Sequence, residues 1–221
     1  MLLAIDTATR IASIALYEEG EVRSEHSWHS QDSHTVELMP NLVRMLKQQS
    51  VETGELAGVA VSLGPGSFTG IRIGMSIAKG LSLALELPMV GVPSLDALGY
   101  GQAYQNLTIC AFIRAGRERI CAATYRGGTE PWGPLGEYRL TTIEELCGEI
   151  EERTLFCGEM DAHAVSLLRQ NLGEQAVIAS PAFSLRRAGY LAELGWQRLK
   201  RGERDDPATL APIYLHYPKT G

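Results

Sequence analysis

Within its first nine residues the chain sets down Asp6, Thr7 and Thr9, directly after an apolar run, Leu2-Leu3-Ala4-Ile5. A carboxylate beside hydroxyls and free turn amides can face a metal-bound phosphate. The same side chains can instead satisfy the amides of their own turn, and the turn alone leaves both readings open. Further on, Gly64-Pro65-Gly66-Ser67-Phe68-Thr69-Gly70 joins a second apolar run to a helical one. The amides of such a loop can cradle an anion at the helix N-terminus, with Gly64, Gly66, Ser67 and Thr69 as candidate ligands. The loop lacks the Gly-Lys-Ser/Thr of a Walker A motif. It is not a nucleophile elbow, because Pro65 and Thr69 flank Ser67 where that motif has glycines. The alternative is a rigid turn in which Ser67 or Thr69 caps the helix.

The remaining chemistry-bearing residues are less suggestive. His26 and His29 fall on opposite faces of a strand, and His34 opens a helix whose residue one turn on is Leu38. A two-histidine helical site is thus one ligand short, so no metal site is expected, whether for a metallopeptidase or another enzyme. In the second half the turn equivalent to that of Asp6 reads Arg114-Ala115-Gly116-Arg117. Arginine can contact a phosphate but cannot ligate a cation, which weighs against a self-sufficient ATPase. Arg187, Arg198 and Arg201 share a narrow sector of the last helix. They can touch RNA phosphate, or form a solvated face that complements the helix dipole. No catalytic residue is assigned.

The elements that must hold these groups follow from periodicity. Residues 2–5, 11–17 and 22–29 read as strands joined by tight turns, an antiparallel meander. A helix over 33–49 follows, capped by Asp32 or Ser33, with Val36, Met39, Val43 and Leu46 at helical spacing and Pro40 inside it. A buried strand covers 56–63, a helix 70–85, a strand 89–92, and a short helix opens at Ser94. The second half repeats the order. Strands cover 107–113, 119–125 and 137–140, and a capping box of Thr142 and Glu145 starts a helix to Glu152. A strand covers 154–157, Asp161 caps a helix that stops at Gly173, a strand covers 176–179, and Pro181 starts a last helix ending near Gly202. The repeat predicts a duplicated α/β lobe, each copy a mixed five-stranded sheet covered by helices. The N-terminal lobe is expected over 1–102 and the C-terminal lobe over 103–221, the last segment packing back on the N-terminal lobe.

On the helix after the glycine loop, Gly70, Gly74 and Ala78 share one face, flanked by Ile71, Met75 and Leu81. Glycine costs up to about 1 kcal/mol in a helix interior, and close approach by another backbone is the usual offset. That backbone belongs either to the chain's own sheet or to a partner's helix. In the second case the helix over 33–49, with Met39, Leu42, Met45 and Leu46, lies beside it.

Composition narrows the function. The 221 residues carry 26 acids against 20 Lys and Arg, a net charge of −6, which suits a stand-alone nucleic-acid binder poorly. Mean hydropathy is −0.05 and no apolar run approaches the length of a membrane span. The N-terminus lacks the basic region of a signal peptide. The four cysteines (Cys110, Cys121, Cys147, Cys157) show no metal spacing, and read as buried thiols of a reducing cytoplasm.

Several segments together resemble one family. LLAIDTAT, SHTVELMP, GVAVSLGPGSFTGIRIG continued by AKGL, then GVPSL and the terminal PIYL, are similar to the TsaB (YeaZ) family of bacterial tRNA threonylcarbamoyladenosine biosynthesis. The resemblance is dense over 1–100 and sparse beyond, and GPGSFTG with Ile71, Arg72 and Gly74 is its most specific part. It implies a duplicated ribonuclease-H-like fold of the actin/Hsp70 kind. It also implies a non-catalytic, cytoplasmic accessory subunit with no cofactor of its own. Such subunits pair with a catalytic paralogue, TsaD, which has a metal-binding His-x-x-x-His and transfers threonylcarbamoyl to the adenosine 3′ of the tRNA anticodon. An ATPase, TsaE, joins them, so ATP and metal belong to partner subunits. In this chain His34 and Leu38 stand at the two histidine positions. The family pairs through the two helices here at 33–49 and 70–86. The implied partner-binding set is Val36, Met39, Leu42, Val43, Leu46, Gly70, Ile71, Gly74, Met75 and Ala78. Alone, the same apolar face is expected to form a homodimer. The chain departs from the family at Arg114, where aspartate is usual, in a glycine signal reduced to Gly158, and at His216, where arginine is common. A stand-alone nucleotide-dependent ATPase using Asp6, Thr9 and the 64–70 loop is the rival reading.

Overall fold

A computed structural model describes residues 1–30, 34–116 and 118–215. The proposed caps Asp32 and Ser33, together with Arg117 and His216, lie outside the described residues. The chain forms two compact units. Unit one gathers Met1–Ala97 and Arg186–Ile213, and unit two holds Leu98–Leu185 with Tyr214 and Leu215.

Unit one begins with β1 (Leu2–Asp6), β2 (Ile11–Glu18) and β3 (Glu21–His29), then α1 (His34–Gln48), β4 (Gly58–Ser62), α2 (Phe68–Ala84) and β5 (Met89–Val92). Its sheet runs β3-β2-β1-β4-β5. The first three strands are antiparallel neighbours, whereas β4 and β5 are parallel additions reached by the α1 and α2 crossovers. β1 is buried throughout, so both of its faces must be covered. Leu3 and Ile5 join Leu38, Leu42 and Met45 of α1 and Ala78 of α2 in one core. Leu2 faces the other way, as the period of two requires.

Unit two follows α3 (Ser94–Tyr100) and repeats the grammar: β6 (Thr108–Arg114), β7 (Arg119–Arg126), β8 (Arg139–Thr142), α4 (Ile143–Cys147), β9 (Thr154–Gly158), α5 (Ala162–Leu172) and β10 (Ala176–Ile178). Its order, β10-β9-β6-β7-β8, is that of unit one read from the other edge. Each unit is a ribonuclease-H-like sheet, so the fold is duplicated. The caps behave as the sequence requires. The Thr142 hydroxyl and Glu145 carboxylate form a reciprocal capping box, Asp161 accepts from the Ala164 amide, and α5 ends at Gly173 with φ 54°.

The final helix, α6 (Ala188–Lys200), lies in unit one against β1, β2, β4 and β5, on the face that Leu2 presents. Gly195 is required there, because a Cβ would meet Ala60 and Val90 of the sheet. Its N-terminus is held from the sheet. Ser13 Oγ accepts the Ala188 amide and Glu25 accepts the Gly189 amide.

Several expected boundaries move: β8 covers Arg139–Thr142 rather than 137–140, and β4 covers Gly58–Ser62 rather than 56–63. α2 starts at Phe68 rather than Gly70, because Ser67 is its cap. α4 stops at Cys147 rather than Glu152, where Gly148 lowers helix propensity. The last helix starts at Ala188 rather than Pro181, because Arg187 stays extended (φ −114°, ψ 133°) as the chain enters unit one.

The four cysteines are buried free thiols in unit two. Burial, chiefly, pushes Cys121 up to about 11 and Cys110 up to about 12, and raises Cys157 further. Thiol reagents at pH 8 should therefore label none of them in the folded chain and all four in denaturant. The folded state keeps thiol protons that the unfolded chain releases from about pH 9. This contribution to stability is thus present below pH 9 and lost as pH rises through 11 and 12. Denaturant midpoints across pH 8–11 should fall, and fall less in a Cys110→Ala chain. A flat profile would contradict the linkage. Among the described residues no helix is long and apolar enough to cross a membrane.

Candidate functional site

The β1–β2 turn holds Asp6 at the end of a buried strand, and the carboxylate is fully enclosed. Asp6 Oδ1 accepts the Ala8 amide at 2.9 Å and Thr9 Oγ1 accepts the Ile11 amide at 3.3 Å, so both side chains serve their own turn. The second carboxylate oxygen meets a guanidinium. Arg186 Nε donates to Asp6 Oδ2 at 2.6 Å, and its Nη2 donates to Thr9 Oγ1 at 3.0 Å and to the Ile11 carbonyl at 3.1 Å. Arg186 is 4% exposed, close to the 1% of its partner. An ion pair this enclosed persists because every charge has directed partners.

The 64–70 loop closes over the same turn. Gly64 has φ +90°, and its carbonyl accepts the Ser94 amide at 2.8 Å. The Ser67 amide donates to the Ala8 carbonyl at 2.6 Å, and the Gly70 amide donates to Ser67 Oγ at 3.2 Å. Gly66 sits at φ +156° with no room for a Cβ beside Ala8. Thr7 Oγ1 donates to the Gly70 carbonyl at 2.7 Å, tying turn to helix. Thr69 is exposed one residue into α2. These residues come together as the sequence suggested, but they spend their polar groups on one another. As it stands the set does not fit a metal-bound phosphate, because Arg186 takes the cation's place at the carboxylate.

The small-residue stripe of α2 needs the larger correction. A Cβ added at Gly70 or Gly74 would lie closer than 3.0 Å to Thr7, and Ala78 is buried in the core. The backbone approaching this stripe is the chain's own β1–β2 turn. Gly70, Ile71, Gly74, Met75 and Ala78 are therefore interior, and so are Leu42 and Leu46 of α1. Their side chains pack within unit one. Of the proposed partner residues Val36, Met39 and Val43 remain outward, Val36 at 70% exposure. α2 adds Phe68 at 55% and Leu83 at 69%, which the sequence reading missed by choosing the wrong side of the helix. The signal was present. Phe68, Arg72, Ser76 and Leu83 repeat at helical spacing opposite the glycines, and a large apolar residue on an outward face is informative. The Arg72 guanidinium lies 3.7 Å above the Phe68 ring centre, a cation–π contact. A groove beside it is lined by Thr35 of α1 and Ile73, Ser76 and Ile77 of α2. A second groove lies along Met39, Pro40, Val43 and Lys47.

The other candidates are engaged locally. In unit two Arg114 pairs with Asp161 at 2.6 Å. The Ala164 amide above all holds the Asp161 carboxyl below its usual range; burial opposes it, and the Arg114 charge and hydrogen bond add to the lowering. Arg187 pairs with Glu25, Arg198 with Glu203 and Asp205, and Arg201 with Glu203. The arginines on the last helix thus take the ion-paired, solvated reading. His26 stacks on Trp28, and His34 is buried. Among the described residues no three His, Cys, Asp or Glu side chains gather into a metal-binding group.

Comparison with known proteins gives the fold a lineage. The family model of TsaD, tRNA N6-adenosine threonylcarbamoyltransferase, matches residues 26–219. The tRNA threonylcarbamoyladenosine biosynthesis protein TsaB of Bacillus subtilis (strain 168) is 30% identical over 217 residues, which is 97% of this chain and 93% of that protein. The chain belongs to the TsaB family. The TsaB protein of Escherichia coli (strain K12) is 39% identical over a shorter stretch of 105 residues, 48% of this chain and 45% of that one. The solved structure of YeaZ from Pseudomonas aeruginosa superposes with a TM-score of 0.82 at 25% identity, covering 97% of this chain and 99% of that one. Membership in the TsaB family accounts for the duplicated sheets. In this chain Arg186 plugs the turn, and apolar residues of α1 and α2 face outward.

Proposed function

We propose that this chain is the non-catalytic accessory subunit of the assembly that attaches threonylcarbamoyl to the adenosine 3′ of the tRNA anticodon. It pairs with the catalytic paralogue TsaD through the outward face of α1 and α2, and ATP and metal reside on TsaD and TsaE. One contrast carries the reading. In unit one the polar turn and glycine loop are filled by the chain's own groups, while Val36, Met39, Val43, Phe68 and Leu83 are left to solvent. Apolar surface of this kind is stabilised by burial against another protein. In the absence of TsaD a second copy covers the same face.

Co-purification with TsaD from the same organism tests the proposal. A Val43→Glu chain places a charge in the middle of the face. Binding should weaken by about 100-fold or more, since burying an unpaired charge costs several kcal/mol and each 1.4 kcal/mol is tenfold. Val43 is exposed, so the thermal midpoint of the isolated variant should not change. Undiminished pairing would contradict the assignment. Calorimetry of the isolated chain with Mg-ATP addresses the rival reading. No heat of binding is expected, and tight binding with turnover would favour a stand-alone ATPase.

A further inference from the structure

The sheet of unit one has two edges, and the chain treats them differently. At β5 the edge is closed by the chain's own C-terminal segment. The Asp205 amide donates to the Met89 carbonyl, the Gly91 amide donates to Asp205 Oδ2, and Arg198 Nη1 donates to the Gly91 carbonyl. Among the described residues no backbone hydrogen bond reaches the outer side of β3. The ladder to β2 shows which groups are left there. The Ser30 amide donates to the Arg10 carbonyl at 2.8 Å, so the hydrogen-bonded pairs alternate back through Trp28, His26 and Ser24. Glu25, Ser27 and His29 fall between them. Ser27 Oγ lies 2.8 Å from Ser13 Oγ, the close approach of a pair that exchanges no backbone bonds. The N–H and C=O groups of Glu25, Ser27 and His29 therefore point off the edge. The β2–β3 register shifts at Leu16/Tyr17, beyond Ser24, so the strand is regular from Ser24 to His29. That stretch has none of the lysine or proline that guards an edge. Its inward charge, Glu25, is taken up by Arg187 and the Gly189 amide.

We infer that this edge pairs with the β3 edge of a second copy of the chain, antiparallel and in register about Ser27. The contact is separate from the α1–α2 face and does not rest on its docking role. A two-fold axis requires the paired segment to be complementary to itself. In this register Ser27 meets Ser27 of the other copy, and Glu25 meets His29 on each side of the axis. These pairs exchange about six backbone hydrogen bonds. A carboxylate opposite an imidazole can accept its N–H, whereas an axis at Glu25 would set two carboxylates face to face. On the other face of the strand His26 falls opposite Trp28. These rings already stack at 5.1 Å within one strand, and the pairing extends the stack across the axis. A strand of arbitrary sequence satisfies the same backbone groups but lacks these side-chain pairs, which favours the second copy as the occupant.

Cross-linking of the full-length chain tests the register. In Ser27→Cys the two Cα atoms stand about 5.5 Å apart across the axis, within disulfide range. In His29→Cys they stand more than about 10 Å apart. The native thiols are buried, so oxidised glutathione should join chains only through the introduced cysteine. At least about tenfold more cross-linked dimer is expected from Ser27→Cys than from His29→Cys. Equal yields would overturn the inference. Sedimentation of a Val43→Glu chain, whose α1–α2 face carries a charge, gives a second readout. That chain should still dimerise. Adding Ser27→Pro, or in a separate chain His29→Pro, should raise the dissociation constant at least about tenfold, because proline removes an outward N–H and no bond of the ladder to β2. His29 is exposed at the strand end, so His29→Pro keeps the test if Ser27→Pro lowers the thermal midpoint. A monomeric Val43→Glu chain, or proline variants that dimerise unchanged, would overturn the inference and leave the docking role standing. Loss of TsaD binding in the proline variants, with self-association unchanged, would assign the edge to TsaD instead and overturn the proposal.

Discussion

Replacing Arg186 with alanine should destabilise unit one by about 3–5 kcal/mol, the cost of leaving one member of a buried ion pair without its partner. The guanidinium makes three directed contacts, to Asp6, Thr9 and the Ile11 carbonyl, in a site that water does not reach. Truncation leaves the Asp6 carboxylate enclosed with only the Ala8 amide to stabilise it. Combining Arg186→Met with Asp6→Asn removes both charges and keeps an acceptor for Ala8, so it should recover more than half of the loss. Trp28 and Trp196 lie in unit one, and Trp132→Phe removes the tryptophan of unit two. Denaturant unfolding followed by fluorescence in that background reads the shift directly. A single mutant within 1 kcal/mol of wild type, on the scale of an exposed ion pair, would contradict the enclosed pair.

The second large effect runs against local propensity. Gly70→Ala should raise helix propensity by about 1 kcal/mol, as it does in an open helix. In this chain the new methyl would lie closer than 3.0 Å to the Thr7 carbonyl, a backbone atom that cannot swing aside. The turn and α2 would have to separate, with loss of the Thr7-to-Gly70 hydrogen bond. A net destabilisation of about 3 kcal/mol is expected, in the range of severe overpacking. Gly80→Ala is the matched control. It is helical and has nothing within 4 Å of its Cβ position, so it should stabilise the chain by about 0.5–1 kcal/mol. Opposite signs at the two sites would show that the stripe is an internal seam. Two stabilising substitutions would mean that α2 does not press on the turn.

Which parts of this architecture could be read from the chain follows from the range of the interactions. The strand and helix order, the Thr142–Glu145 box, the Asp161 cap and the Gly173 stop are local, and local residues announce them. The ion pair of Asp6 with Arg186 spans 180 residues of sequence, and nothing near either residue names the other. Arg187, one position on, drew attention because it shares a helical sector with Arg198 and Arg201. Arg186 belongs to the extended lead-in before α6 and shares no such pattern. The stripe of Gly70, Gly74 and Ala78 was legible as a close approach, but its partner was not. Spacing on one helix says that a backbone comes near, and only the tertiary fold shows that it is Thr7. Once that face is taken, Phe68, Arg72 and Leu83 become the outward face.

In the proposed role this chain offers α1 and α2 to a catalytic partner and has no reactive site of its own. Reconstitution of threonylcarbamoyl transfer on a tRNA transcript, with TsaD and TsaE present and this chain added, omitted or replaced by Val43→Glu, decides whether it holds. Full transfer only with the wild-type chain, with none from the chain alone, is the predicted result. Transfer by the chain without TsaD, or equal transfer with Val43→Glu, would contradict it.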